Sequence, residues 1–145
     1  MQYSSEVIID LPRDEMLALF DSTENLFKWQ EGLQSFDHLS GEPGQPGAKS
    51  KLVFDMGGRQ MEMIETITGR DLPDSMSMTY EMNGVFNTVH NRFVADGDKT
   101  RWVADHEFKF SGAMALMSLV MRGSFPKQTQ ATMDAFKVFA ESQSE

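Results

Sequence analysis

The chain contains no cysteine. That excludes a disulfide framework, a zinc–thiolate site and a cysteine nucleophile. Basic residues are scarce: 13 Lys and Arg stand against 22 Asp and Glu, and the formal net charge is -9. No Lys/Arg cluster is present of the kind that displaces counterions from a phosphate backbone, so nucleic acid is not an expected partner. The acidic balance also disfavours a flat anionic membrane surface. Long apolar runs are missing too. The most apolar stretch, Ala113 to Met121, is far too short to cross a bilayer, and integral membrane association is not expected. The opening MQYSSEVIID has neither the basic flank nor the apolar centre of a signal peptide, which makes a cytoplasmic location the expectation.

Motifs of familiar chemistry are absent as well. His38, His90 and His106 have no ligand-like spacing, so neither a metal nor a cofactor is expected. Gly57-Gly58 and the tract Gly41 to Gly47 read as turns, not as a phosphate or dinucleotide loop opening a helix. No serine sits in a Gly-x-Ser-x-Gly elbow.

What is present is a change of period. At 145 residues the chain is long enough for one domain, 1–145, with a real core. Tyr3 to Asp10 reads as a first strand, and two short helices follow. Pro12 suits the start of one, with Asp14 and Glu15 near its positive end, and Ser22 or Thr23 caps a second through Trp29. From Leu33 to Phe110 the period is two. Strands are expected at Leu33–Gly41, Ala48–Met56, Arg59–Thr68, Ser75–Met82, Val85–Ala95 and Lys99–Phe110, joined by short turns into an antiparallel meander. From Gly112 onward, apolar residues recur at helical spacing through Met114, Met117, Met121, Phe125, Met133 and Phe136. Gly123-Ser124-Phe125-Pro126 interrupts that stripe without changing its phase, and one kinked helix is expected.

Alternation assigns faces. Phe54 and Met56, Met61 and Met63, Met76, Met78 and Tyr80 point inward, and Glu65 stands beside them. On the next two strands Asn87, Asn91, Trp102, Ala104 and His106 share that face. The interior is rich in methionine, which either fills an irregular core or lines an adaptable apolar pocket. His106 and Glu65 are the candidate catalytic groups. An imidazole in an apolar cleft or a desolvated carboxyl can move a proton, but the positions better suit a bonded core histidine and a rim carboxylate. Asn87 and Asn91 offer amides to a ligand carbonyl or hydroxyl; the alternatives are cross-strand hydrogen bonding or the opposite face of the strand.

The segments NLFKWQEGLQSF (Asn25 to Phe36) and EPGQPGAKSKL (Glu42 to Leu52), the Gly97-Asp98-Lys99-Thr100-Arg101 turn and the closing helix resemble the START-like (SRPBCC, Bet v 1-like) superfamily. The likeness is to its polyketide cyclase/dehydrase and lipid transport branch and spans nearly the whole chain. It implies an α+β helix-grip fold, in which a curved antiparallel sheet of about seven strands and two short helices wrap one long C-terminal helix. It also implies a cavity for a lipid, polyketide, quinone or similar molecule, lined by the inward strand residues and by Met114, Met117 and Met121. A binding module for a small apolar ligand is favoured on this reading. The alternatives are a cyclase- or dehydratase-type enzyme using His106, Glu65 and the asparagines, and a protein-interaction module of chaperone-activator type. Self-association into a homo-oligomer is compatible with all three.

Overall fold

The structure is a computed structural model that describes residues 1–143. Its strands are β1 (Gln2–Ile9), β2 (Leu33–Ser40), β3 (Lys49–Met56), β4 (Arg59–Asp71), β5 (Ser75–Met82), β6 (Val85–Asp96) and β7 (Lys99–Phe110). Its helices are α1 (Arg13–Phe20), α2 (Thr23–Trp29), α3 (Ala113–Met121) and α4 (Ser124–Ser142). The strands form one antiparallel sheet in the order β1-β7-β6-β5-β4-β3-β2. Strands β2 to β7 follow one another as a meander. The first strand joins the far edge, pairing Gln2 with Glu107 and Ile9 with Thr100. The apolar face of the sheet holds α4 together with α1 and α2, which is the helix-grip architecture.

Local chemistry sets the ends of the two short helices. Pro12 stands immediately before α1, and Asp14 and Glu15 occupy its first turn, where carboxylates favour the helix dipole. The Ser22 hydroxyl accepts a hydrogen bond from the Asn25 amide at 3.3 Å and caps α2. Gly32 closes this region at φ 82, and its carbonyl accepts from the Asp55 amide at 2.7 Å. A Cβ there would lie 2.4 Å from the Asp55 carbonyl oxygen. Only glycine permits both the positive φ and the close approach, so Gly32 clamps the end of α2 to β3.

Alternation holds along the strands with two instructive departures. Strand β4 runs on to Asp71, past the expected stop at Thr68. A register shift between Ile67 and Gly69 lets the ladder with β5 continue to Asp71 opposite Ser75; the glycine that reads as a turn is a bulge. On the outer face Val103 is buried. Its direct cross-strand neighbours are Glu6 and Arg92, whose aliphatic stems can cover it while their charges pair with Arg101 and Asp105.

The C-terminal region departs further. It is two helices rather than one kinked helix. Pro126 falls in the first turn of α4, where a missing backbone donor costs nothing. The backbone stays right-handed at Arg122 and Gly123, so the apolar phase carries across the break.

The core gathers at one end of the grip. Phe136 of α4 is fully buried. Its ring lies 5.7 Å from Phe20, 5.0 Å from Trp29 and 5.5 Å from Trp102, all edge-on. Phe20 reaches Phe93 at 5.2 Å. Ile9, Met16 and Met133 pack the remaining space and are sealed from solvent. No helix among the described residues is long and apolar enough to cross a membrane.

Candidate functional site

Beyond the aromatic cluster the grip is hollow. A cavity of about 520 Å³ lies between the inner face of the sheet and α4, within the roughly 300–1,000 Å³ typical of small-molecule sites. Its walls are mainly apolar: Leu52, Ile67, Met76, Met78 and Val89 from the strands, Leu26 from α2 and Met133 from α4.

One row of the sheet breaks that apolar pattern. His38 pairs with Ser50, Ser50 with Glu65, Glu65 with Tyr80, and Tyr80 with Asn87. All five face the cavity; on β7 the direct neighbour of Asn87 is Phe108, and His106 stands on the diagonal two residues away. From His38 to Asn87 each step is a direct cross-strand neighbour, so the backbones that carry these side chains follow at intervals of about 4.8 Å.

The row is organised into two bonded pairs. The Tyr80 hydroxyl donates to Glu65 Oε2 at 2.9 Å. Burial raises the Glu65 carboxyl above its ordinary range, and the bond from Tyr80 offsets this only in part. Tyr80 is held well above the usual phenol range, first by burial and then by the neighbouring Glu65 charge. His106 Nδ1 lies 3.3 Å from Asn87 Oδ1. The amide oxygen can only accept, so the ring proton sits on Nδ1 and Nε2 keeps its lone pair. The imidazole is stacked on Tyr3 at 5.0 Å and on Phe108 at 5.9 Å. Burial lowers its pKa from 6.5 to about 4, against a smaller opposing pull from Asp105, so the ring is neutral at pH 7.

This has a measurable consequence for stability. A histidine with a depressed folded-state pKa destabilises the fold once the unfolded chain binds the extra proton. The loss begins as pH falls below 6.5 and is complete below about 4. Its size is on the order of 3 kcal/mol. His106→Phe is therefore expected to flatten the stability profile between those two values, read as the wild-type-minus-variant difference in urea unfolding, where the other titrating groups cancel. A difference that does not change with pH would place His106 in water.

Two further donors stand in the wall. Trp102 Nε1 donates to Asn91 Oδ1 at 2.9 Å in a buried bond, which turns the Asn91 amide NH₂ away from the indole. Trp29 is buried, and its Nε1 has no hydrogen-bond partner among the described residues. It lies in the wall between the main cavity and a second cleft of about 110 Å³. A buried indole N–H without an acceptor is costly and suits a ligand oxygen.

Most of the expected residues converge. Phe54, Met63, Met76, Met78 and Tyr80 line the main cavity, as do Asn87, Asn91, Trp102, Ala104 and His106, and so does Glu65. Five do not. Met56 and Met61 line the second cleft instead. Their alternation is in phase, but they lie beyond the end of the cavity, beside the Gly57-Gly58 turn. Met114, Met117 and Met121 belong to α3 and are outside both spaces; Met117 and Met121 are exposed. The helix side of the cavity comes from α4, through Gln128, Thr129, Thr132 and Met133. The sequence reading passed over Ser50, His38 and the cavity role of Trp29. Ser50 was findable, since it shares the parity of Leu52 and Phe54; His38 follows only from the register of β2 on β3. Among the described residues no three His, Asp or Glu are grouped to hold a metal ion.

A family model described as polyketide cyclase/dehydrase and lipid transport matches residues 1–141. Among solved structures, the protein TTHA0849 from Thermus thermophilus superposes with a TM-score of 0.81 at 14% identity, covering 100% of both chains. The Zhui aromatase/cyclase from Streptomyces sp. R1128 gives 0.76 at 14% identity, over 100% of this chain and 96% of that one. A point mutant of norcoclaurine synthase from Thalictrum flavum, in complex with a transition state analogue, gives 0.74 at 12% identity, again over 100% and 96%. At these identities the likeness establishes the fold alone. No curated protein sequence matches.

Proposed function

Because the chain belongs to the polyketide cyclase/dehydrase and lipid transport family, we propose that it binds one small, extended, largely apolar molecule bearing spaced oxygen functions, of lipid, polyketide or quinone type. The observation that carries this is the polar row Ser50–Glu65–Tyr80–Asn87, with His106 diagonal to its end, along a largely apolar wall. A plain hydrocarbon chain would leave the remaining donors and acceptors of these groups, such as the Asn87 amide NH₂ and His106 Nε2, facing it in a low-dielectric space, at a cost for each. A ligand with spaced hydroxyl or carbonyl oxygens would satisfy them.

Native mass spectrometry of the purified protein tests this, together with titration by the neutral fluorophore N-phenyl-1-naphthylamine. A co-purifying molecule or uptake of one probe per chain is expected. A chain that carries nothing and leaves the probe in water would end the proposal.

A second reading is favoured by a specific observation. Tyr80–Glu65 and Asn87–His106 are adjacent hydrogen-bonded pairs in one wall. Glu65, its pKa raised by burial, can take or give a proton, and His106 Nε2 is an unprotonated acceptor, which is the equipment of a cyclase- or dehydratase-type enzyme. On this reading Glu65→Gln would abolish turnover of a ligand identified above while changing its affinity only a few-fold. Equal losses in both would leave binding as the whole function. The chaperone-activator reading loses support on the sheet, where Arg92–Asp105 and Arg101–Glu6 pairs occupy the outer face.

A further inference from the structure

Helix α3 is the most apolar element of the protein and the least covered. Val120 is 87% exposed, Leu116 73% and Leu119 67%, with Met117 and Met121 also in solvent. It is attached lightly. Met114 packs on the Gly84 turn, and Ser118 faces the body of the protein and is buried. At 100° per residue, Leu119, Leu116, Val120, Ala113, Met117 and Met121 span an arc of about 200°. A seam with a second helix buries a stripe of roughly 100°, so another copy of the chain would leave half of this surface wet. A medium that surrounds the helix would not.

The charge around α3 points to the same medium. The protein carries -9 overall, yet no Asp or Glu occurs between Phe108 and Met133. That stretch holds Lys109, Arg122 and Lys127. Lys109 pairs with Glu107 at 3.7 Å. Arg122 and Lys127 make no ion pair among the described residues. At physiological salt charges more than about 8 Å from a surface are largely screened, so the cations that flank α3 act on a surface it touches more strongly than acidic side chains beyond that range.

We propose that α3 is a membrane-docking element that inserts its apolar arc into the interface of an anionic bilayer, with Arg122 and Lys127 at the headgroups. An inserted helix of this kind sits roughly 5–10 Å into the acyl boundary. The Gly84 turn under Met114 joins Met82 and Val85, and both line the cavity, as does Phe108. Docking therefore brings one end of the cavity to the membrane. That last consequence, loading of the ligand from the bilayer, rests on the binding function proposed above; the docking itself does not.

The test is co-sedimentation of the purified full chain with vesicles of phosphatidylcholine containing phosphatidylglycerol. The wild type is expected to sediment, and to do so less at high salt. The double variant L116E/V120E is expected to bind tenfold more weakly or not at all, with an unchanged melting temperature because both side chains are in solvent. R122E/K127E is expected to lose the preference for phosphatidylglycerol. Leu116→Trp supplies a second readout, a blue shift of the new indole on mixing with vesicles. Failure of the wild type to sediment, or equal sedimentation of L116E/V120E, overturns the proposal. So does a dimer in sedimentation velocity that L116E/V120E dissolves while vesicles are ignored. Uptake of N-phenyl-1-naphthylamine by L116E/V120E should match the wild type, so loss of docking and absence of a binding cavity are read separately.

Discussion

Phe136→Ala is expected to destabilise the protein by about 3–5 kcal/mol. The ring is fully buried and meets Phe20, Trp29 and Trp102 edge-on, with Phe139 at 6.3 Å. Its removal takes away both the transfer free energy of the ring and its edge-to-face contacts. The hole would open among rigid aromatic neighbours that have little means of closing it. Urea unfolding measures the loss, and Phe27→Ala is the control. Phe27 is on α2, half-exposed and outside the core cluster, so its truncation should cost under about 1 kcal/mol. Similar losses at the two positions would mean that the aromatic cluster is not what holds the helices to the sheet.

Ala104→Trp is expected to act in the opposite way, abolishing ligand uptake with little effect on the fold. Ala104 faces the cavity between Asn91 and Ser5 of the neighbouring strands. An indole added there would enter the 520 Å³ space rather than a packed interior. Overpacking a filled core costs about 1–3 kcal/mol; a melting temperature close to that of the wild type, with the fluorophore no longer bound, is the result that matches a hollow interior. A sharp fall in melting temperature with uptake retained would mean that Ala104 is packed and the ligand lies elsewhere.

The sheet was legible because its signal is local. Met76, Met78 and Tyr80 alternate with Ser75, Ser77 and Thr79, and that is sufficient to assign a face. Asn87, Asn91 and His106 were placed in the interior by the same parity. Their partners were not. That Tyr80 meets Glu65, and Asn87 meets His106, depends on strand register, which the bulge at Gly69 and the shifts in β2 change by whole residues. The error at Met114, Met117 and Met121 has a different origin. Helical spacing identifies an apolar face, but α3 is apolar nearly all round, and periodicity then carries no direction. The proline at 126 marked the break; it could not say that the two helices on either side have different surroundings.

The pairing of β1 with β7 also bears on how the chain acquires its shape. Six strands are linked hairpin by hairpin and can zip in sequence, but the first must wait for residues 100 to 107 before it has a partner. On a ribosome that segment would remain single until β7 has been made. Its inward residues Val7 and Ile9 would meanwhile be bare. Such high contact order slows folding, and an unpaired apolar strand invites association between nascent chains. Alternation with Glu6 and Asp10 gives that waiting strand the charge that keeps it in solution.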